Sequence, residues 1–441
     1  MTRPAINKFA YTTVTAVVIA NMVGTGVFTS LGFQLLELRS GFVLLALWAV
    51  GGLIALCGAM TYAELGAAMP RSGGEYNFLT RIYHPGVGFV SGWVSATIGF
   101  AAPTALAAMT FAAYTTSVLP QPVSSRVEKA IAAALVLVMT AIHSSNRRQS
   151  GGLQSVFTVL KVGGIVVFCL AALLLVDERQ AMTFLPMSGD MQLLSSGAFA
   201  ISLIYVSYAY TGWNAATYLS SELDNPQRDL PRILFAGTAV VTFLYVALNY
   251  VFLSVAPIDA MRGEVEIGFI AAESAFGPAG GRFAGLALAL LLISTVSAMT
   301  LAGPRVLQVI GEDFSALKFL SRSNSDGLPY VAIWTQSALT LVFILTSGFE
   351  SILVFAGFTL ALNSFVTVLG VFVLRWRQPE LERPYRTFGY PVTPVIYLLL
   401  TGWTLGYVLY NRPAEGAFGL GLILSGVVVF LLSGRGGRRS S

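Results

Sequence analysis

Two segments and one lysine in this 441-residue chain carry groups able to hold a small charged solute. The first segment is Asn21-Met22-Val23-Gly24-Thr25-Gly26-Val27-Phe28. Two glycines flank a β-branched hydroxyl residue, and glycine both weakens a helix and admits unusual dihedrals, so the pattern favours local unwinding. A helix broken here restarts near Val27, and its free amides and positive dipole end attract a carboxylate. The half-helix before the break ends in unpaired carbonyls around Asn21 and Met22, which attract an ammonium. Taken alone, the segment reads first as a small-residue packing face between membrane helices.

The second segment shifts that balance. Ser207-Tyr208-Ala209-Tyr210-Thr211-Gly212-Trp213-Asn214 places one glycine among aromatic residues in the middle of an apolar block. Unwinding there offers the carbonyls of Ala209 and Tyr210 to an ammonium, with Tyr208 placed to cover the ligand. Broken backbone at membrane depth must line a cavity or be buried in protein. Two facing breaks make a pocket whose donors and acceptors both come from backbone, which suits a zwitterion. For Tyr208 and Trp213, ordinary aromatic packing is an equal alternative.

Lys161 stands about 12 residues beyond Gln149, hence roughly 18 Å into the membrane at 1.5 Å rise per residue. Its stem spans only about 6 Å, too short to snorkel to water. An intramembrane charge of this kind is functional by default. No acidic residue is expected at the same depth, since Glu64 and Glu222 fall near the ends of their blocks. The expected partners are the unwound carbonyls of the first segment and the hydroxyls of Ser294, Thr295 and Ser297. Elsewhere, catalytic constellations are missing. His84 and His143 are far apart and lack metal-ligand spacing, no P-loop occurs, and neither cofactor nor enzyme chemistry is expected.

These groups need elements to position them, and composition names the elements. Hydrophobic residues make up 55% of the chain and charged residues 11%, with a mean hydropathy of +0.74. Soluble domains carry about 25% charged residues. The apolar residues fall into twelve blocks of helix-spanning length, roughly 9–34, 42–66, 84–119, 128–144, 152–176, 195–222, 232–256, 282–304, 329–347, 350–374, 390–410 and 415–433. The expected fold is therefore an all-α polytopic membrane protein with 12 transmembrane helices, and the lipid bilayer is its first partner. The blocks are expected to fill the chain without separately folded domains. Residues 257–281 read as a short amphipathic helix on one surface, and 305–328 as another on the opposite side.

The net charge of +5 follows the membrane sidedness rule. Eighteen of the 26 Lys and Arg lie in one alternate set of loops and termini, including Arg3, Lys8, Arg71, Arg81, Arg147, Arg148, Arg375, Arg377, Arg435, Arg438 and Arg439. That set is expected to be cytoplasmic, with both termini inside. No soluble face exists to gather these residues for nucleic acid. Cys57 and Cys169 sit within blocks and read as packing residues. The apolar N-terminal stretch is too long for a signal peptide and reads as a retained first span.

The two breaks lie in blocks 1 and 6, five spans apart, and so run through the membrane in opposite directions. Breaks at corresponding places of two inverted halves mark a secondary-transporter site. The division is then residues 1–180 for spans 1–5, 181–376 for spans 6–10, and 377–441 for two extra spans and the C-terminus. Two charged, turn-rich stretches, Tyr62 to Tyr76 and Glu222 to Pro231, read either as an inner gating network or as solvated loops.

At Gly24-Thr25-Gly26-Val27-Phe28, Tyr62 to Tyr76, Tyr208 to Pro231 and Leu374 to Pro384 the chain resembles the amino acid–polyamine–organocation (APC) superfamily, most closely the L-type amino-acid transporters and their bacterial relatives. The resemblance covers nearly the whole length. It implies a LeuT-like 5+5 inverted-repeat fold, alternating access, and a plasma-membrane location. Mapped here, it implies that the substrate carboxylate meets amides of Thr25 and Gly26. The ammonium meets carbonyls near Met22, Ala209 and Thr211, Tyr208 acts as an aromatic gate, and Asn214 follows the unwound stretch. Lys161 matches the span-5 lysine that replaces a sodium site in sodium-independent members. No cysteine lies in 120–127, so no disulfide-linked heavy chain is expected there. Asn214 and the expected absence of a midplane carboxylate argue against arginine or polyamine substrates. The reading is a sodium-independent exchanger or facilitator of neutral amino acids. The alternatives are a proton-coupled symporter using Lys161 and, from another class, an amino-acid sensor that does not transport.

Overall fold

Twelve apolar blocks demand helices, because in hydrocarbon every backbone N–H and C=O must be paired within its own segment. The computed structural model describes residues 10–71, 73–145, 152–176, 179–324 and 327–433, and all the regular elements among them are helical. The first block is split into α1 (Tyr11–Met22) and α2 (Gly26–Gln34). Next come α3 (Gly41–Ala68), α4 (Gly74–Ile82) and α5 (Pro85–Val94), then a π-helical turn at Ser95–Gly99 that leads into α6 (Ala101–Ser117). They are followed by α7 (Ser125–Ser145), α8 (Gly152–Leu175), α9 (Asp190–Leu194) and α10 (Gly197–Ala209), which ends in a 3-10 helix at Ala215–Glu222. The second half holds α11 (Pro226–Val255), α12 (Ile258–Met261), α13 (Ile267–Asp313), α14 (Tyr330–Thr346), α15 (Phe349–Arg377), α16 (Val392–Asn411) and α17 (Pro413–Leu432).

Among the described residues, nine stretches are long and apolar enough to cross a membrane, with α1–α2 and α5–α6 each forming one. Shorter apolar helices lie in α8, α10 and α14. The chain is a multi-pass membrane protein. Arg3, Lys8, Arg147, Arg148, Gln149, Arg435, Arg438 and Arg439, on which part of the sidedness and depth reading rested, lie outside the described residues.

Local sequence sets the helix ends. Ser40 caps α3 by accepting the Val43 amide, and Ser196 caps α10 by accepting that of Phe199. Pro226 opens α11 at a position where the missing N–H costs nothing. Hydroxyls inside the spans bond back to their own helix, as Thr110 does to Leu106 and Thr404 to Leu400, so an apolar surround leaves them satisfied.

Three stretches depart from the sequence reading. Residues 257–281 form α12 and the first turns of α13, whose Ile267, Ala271 and Ala272 are buried, so this stretch is packed in rather than laid on the surface. Residues 305–313 continue α13, and only Ser315–Ser321 make a separate short helix, because no further proline interrupts the chain between Pro304 and Asp313. The Tyr62 to Tyr76 stretch is not a solvated loop. Glu64, buried near the end of α3, accepts from Arg375 Nε and Nη2 at 2.8 and 2.7 Å and from the Thr387 amide and hydroxyl, both at 2.7 Å. Arg383 adds a second basic neighbour at 3.5 Å.

Candidate functional site

Both predicted helix breaks are present. α1 stops at Met22 and α2 restarts at Gly26, one residue earlier than expected. The first amides of α2 have no acceptor within their own helix. The second break spans 210–214 between α10 and the 3-10 helix. Gly212 there has φ +102°, and a Cβ on it would lie 2.8 Å from the Asn21 carbonyl carbon. A Cβ on Gly26 would lie 2.6 Å from the Ala209 Cα. The two breaks therefore pack backbone to backbone, as only glycine permits.

Beside them lies a cavity of about 220 Å³. Asn21, Met22, Gly24, Thr25, Gly26, Tyr208, Ala209, Tyr210, Thr211, Gly212 and Asn214 all contribute to its wall. Ile54 of α3, Pro103 of α6, Met299 of α13, Leu360 of α15 and Thr401 of α16 close it. Side-chain roles are more divided than sequence spacing implied. Asn21 turns its amide back to the Val17 carbonyl, and Thr211 donates to the Tyr208 carbonyl. The Tyr210 hydroxyl donates to the Trp48 carbonyl, with its ring against Trp48 and Tyr245. Tyr210 thus braces the scaffold behind the cavity.

Tyr245 of α11 was missed. Its hydroxyl reaches the Met22 carbonyl and, at 3.1 Å, the Ala209 carbonyl. Two carbonyls expected to be open to an ammonium are thereby bridged by one buried phenol, which ties break to break. The only available signal was a tyrosine mid-block, whose hydroxyl needs a partner when buried.

Glu75 was missed as well. Gly73 and Gly74, at φ +123° and +52°, turn the chain so that α4 folds back toward the bundle. Glu75 is 2% exposed and lines the cavity. It accepts from Tyr62 at 3.1 Å, from the Asn214 amide and from the Tyr218 hydroxyl. This corrects the expectation that the cavity lacks a carboxylate. The adjacent Gly-Gly pair was the signal. Next to it, Tyr76 donates to Asp313 at the end of α13; burial and that carboxylate push its hydroxyl up to about 12.

Lys161 is 7% exposed and donates to Thr295 Oγ1 at 2.7 Å. A second cavity of about 10 Å³ joins it to Gly24, Phe28 and Tyr114, so the ammonium sits behind the first break. Thr295 lines both cavities. Of the other expected partners, Ser294 is buried, and Ser297 faces away. Ser297 Oγ pairs with His143 Nε2 at 2.8 Å. Residues two apart on a helix point about 200° apart, so Thr295 and Ser297 cannot meet the same lysine.

The described residues hold no cluster of His, Cys, Asp and Glu that fits a metal ion. Cys57 and Cys169 are buried thiols. Comparison with known proteins gives a match to the family model Amino acid permease over residues 9–432. The chain is 29% identical to the large neutral amino acids transporter small subunit 2 of Mus musculus, over 94% of this chain and 79% of the relative. Identity to the Asc-type amino acid transporter 1 of Mus musculus is also 29%, with the same two coverages. The b(0,+)-type amino acid transporter 1 of Homo sapiens is 26% identical, over 95% and 86%.

Proposed function

The chain belongs to the amino acid permease family, and from that premise we propose that it is a sodium-independent exchanger or facilitator of neutral L-amino acids working by alternating access. The observation that carries the reading is the pair of helix breaks packed against each other at one cavity. α2 presents amides to a carboxylate, and the unwound stretch at Tyr210 and Thr211 presents carbonyls to an ammonium. About 220 Å³ is some seven waters at ~30 Å³ each, room for a single amino acid rather than a peptide. Lys161, hydrogen-bonded to Thr295 behind the first break, supplies the fixed positive charge that a sodium ion would otherwise bring.

The twelve spans are arranged as two inverted repeats, residues 1–180 and 181–376, followed by two further spans over 377–441. The protein sits in the plasma membrane with both termini cytoplasmic, consistent with the basic loops. α2 is buried along nearly its whole length, whereas α1 exposes Tyr11, Thr12, Thr13 and Asn21. That asymmetry suits a state closed on the α2 side and open on the α1 side. One relative named above is, by name, the small subunit of a transporter of large neutral amino acids. Here, with both cysteines buried inside helices, the chain works without a disulfide-linked partner, and non-reducing electrophoresis of membranes tests this.

The function is tested by uptake of a labelled neutral amino-acid mixture into proteoliposomes in sodium-free buffer, with and without unlabelled amino acids inside. Uptake that needs internal substrate establishes exchange, and uptake into empty vesicles establishes facilitated entry. Saturable binding without flux would turn the reading into that of a sensor.

A further inference from the structure

Among the described residues, Glu64 and Glu75 are the buried glutamates, and their surroundings differ in kind. Glu64 is held by two guanidinium groups, a backbone amide and a hydroxyl. Guanidinium and backbone amide groups only donate, so of the Glu64 partners the Thr387 hydroxyl alone could accept a proton, and protonation would forfeit the ionic contacts with both arginines. Its charge is fixed. Glu75 is held by Tyr62 and Asn214 on Oε1 and by Tyr218 on Oε2. All three partners are ambivalent. A tyrosine hydroxyl accepts as well as donates, and an asparagine amide turned over presents its oxygen. Both the ionised and the protonated carboxyl can therefore be satisfied by rotation of the tyrosine hydroxyls and the Asn214 amide.

No cation among the described side chains contacts Glu75. On α3, Tyr62 bonds it while Glu64 is clamped by its arginines. On α5 the titratable group is His84, whose Nδ1 accepts the Gly86 amide at the helix start. On α15, Arg375 is taken by Glu64 and Arg377 by the Ile82 carbonyl. Tyr397 of α16 faces the carboxyl, and on α4 Tyr76 is turned to Asp313. Glu75 and its partner Tyr218 both border the substrate cavity, so water in the cavity can reach the carboxyl. Asn214 stands two residues past Gly212, so its amide links the state of Glu75 to the second helix break.

We propose that Glu75 is the proton-binding group of the transport cycle, taking one proton from cavity water with each amino acid and releasing it to water on the opposite side. This rests on the transporter reading above. The proton arrives on a hydronium ion, whose O–H bond breaks as the carboxyl O–H forms, and the reverse transfer to water regenerates hydronium on the other side. In exchange, the proton movements of the two half-cycles cancel; in net uptake, one proton enters with each amino acid. On protonation the Asn214 amide turns over and its NH₂ leaves Glu75, which couples proton binding to the unwound stretch. Lys161, outside the wall of the substrate cavity, is then a fixed structural charge.

The test uses the full chain in proteoliposomes loaded with a pH-sensitive dye and supplied with a labelled neutral amino-acid mixture. In the wild type, net uptake should acidify the lumen in proportion to amino acid taken up. In Glu75→Gln that ratio should fall by roughly tenfold or more, since an amide cannot carry the proton. A wild type that takes up amino acid without acidification overturns the proposal. So does a Glu75→Gln protein with an unchanged ratio, or loss of coupling in a Lys161 variant alone. If Glu75→Gln does not fold, Tyr218→Phe keeps the carboxyl and removes one donor from its ionised form. Luminal acidification per amino acid should then stay near the wild-type ratio, because the carboxyl is retained, and its loss overturns the assignment. Wild-type exchange at equal pH on both sides separates the two claims. Its absence removes the transporter reading itself, while exchange accompanied by net uptake that leaves the lumen unacidified removes only the role of Glu75.

Discussion

Lys161 and Tyr245 both approach the first helix break, one with a charge and one with a neutral hydroxyl. The Lys161 ammonium bonds Thr295, and the Thr295 hydroxyl also reaches the Leu291 carbonyl at 3.4 Å. Lys161→Ala therefore leaves no orphaned partner, and folding should persist while flux falls by roughly tenfold or more. Uptake and thermal unfolding of the same detergent preparation check both halves, and normal transport would remove the lysine from the mechanism. Tyr245→Phe deletes the hydroxyl bridging the Met22 and Ala209 carbonyls. About 1 kcal/mol is expected for such a bond, so apparent affinity should drop about fivefold. Concentration-dependent uptake measures it. Glu64→Ala should act on stability instead, because it strands Arg375 and Arg383 beside a vacated site. A loss of about 3–5 kcal/mol is expected for breaking one partner of a buried ionic cluster, read as a fall in the unfolding midpoint.

At the scale of elements, the two breaks matter as a pair. Glycine is required at 212 on two counts, a φ of +102° and the approach of the Asn21 backbone. Gly212→Ala should cost about 1–3 kcal/mol in backbone strain alone, with further loss from pushing α1 away. Binding should suffer more than folding, because the break can shift only by opening the cavity wall. Substrate-dependent thermal stabilisation should vanish in this variant while the unliganded unfolding curve remains cooperative. α4 is the other element whose position decides chemistry. Its first turn carries Glu75 inward only because the Gly73-Gly74 turn reverses the chain ahead of it.

At the scale of the whole molecule, the side of the cavity next to α2 is closed by the stretch that opens α13. The Gly263 amide donates to the Gly32 carbonyl at 2.8 Å, and the Tyr114 hydroxyl links the Phe28 carbonyl to the Gly268 amide. Glu266 sits in this closure, where burial, with Glu264 and Glu128 nearby, pushes its carboxyl up to about 7. The folded protein thus holds a proton there that the unfolded chain, near 4.5, has already lost. Stability from this group is present below that lower value, falls as pH rises through the window between the two, and is gone above about 7. Glu266→Gln should flatten the pH dependence of the unfolding midpoint across that window. An unchanged slope would place the titration elsewhere.

The sequence by itself determined the membrane class, the positions of the helix breaks and the lysine behind them. Apolar block length and glycine placement act locally, so Gly24 to Gly26 and Thr211 to Asn214 were legible without any partner. What the tertiary structure decided is which groups meet. Rotation about the axis of α13 chose Thr295 for Lys161 and gave Ser297 to His143. The packing of α11 brought Tyr245 to two carbonyls that spacing alone left open. The turn before α4 carried Glu75 from an apparent surface loop to the cavity wall. Each of these depends on helix rotation or chain reversal, and hydrophobic pattern fixes neither in a chain whose helices are apolar on nearly every face.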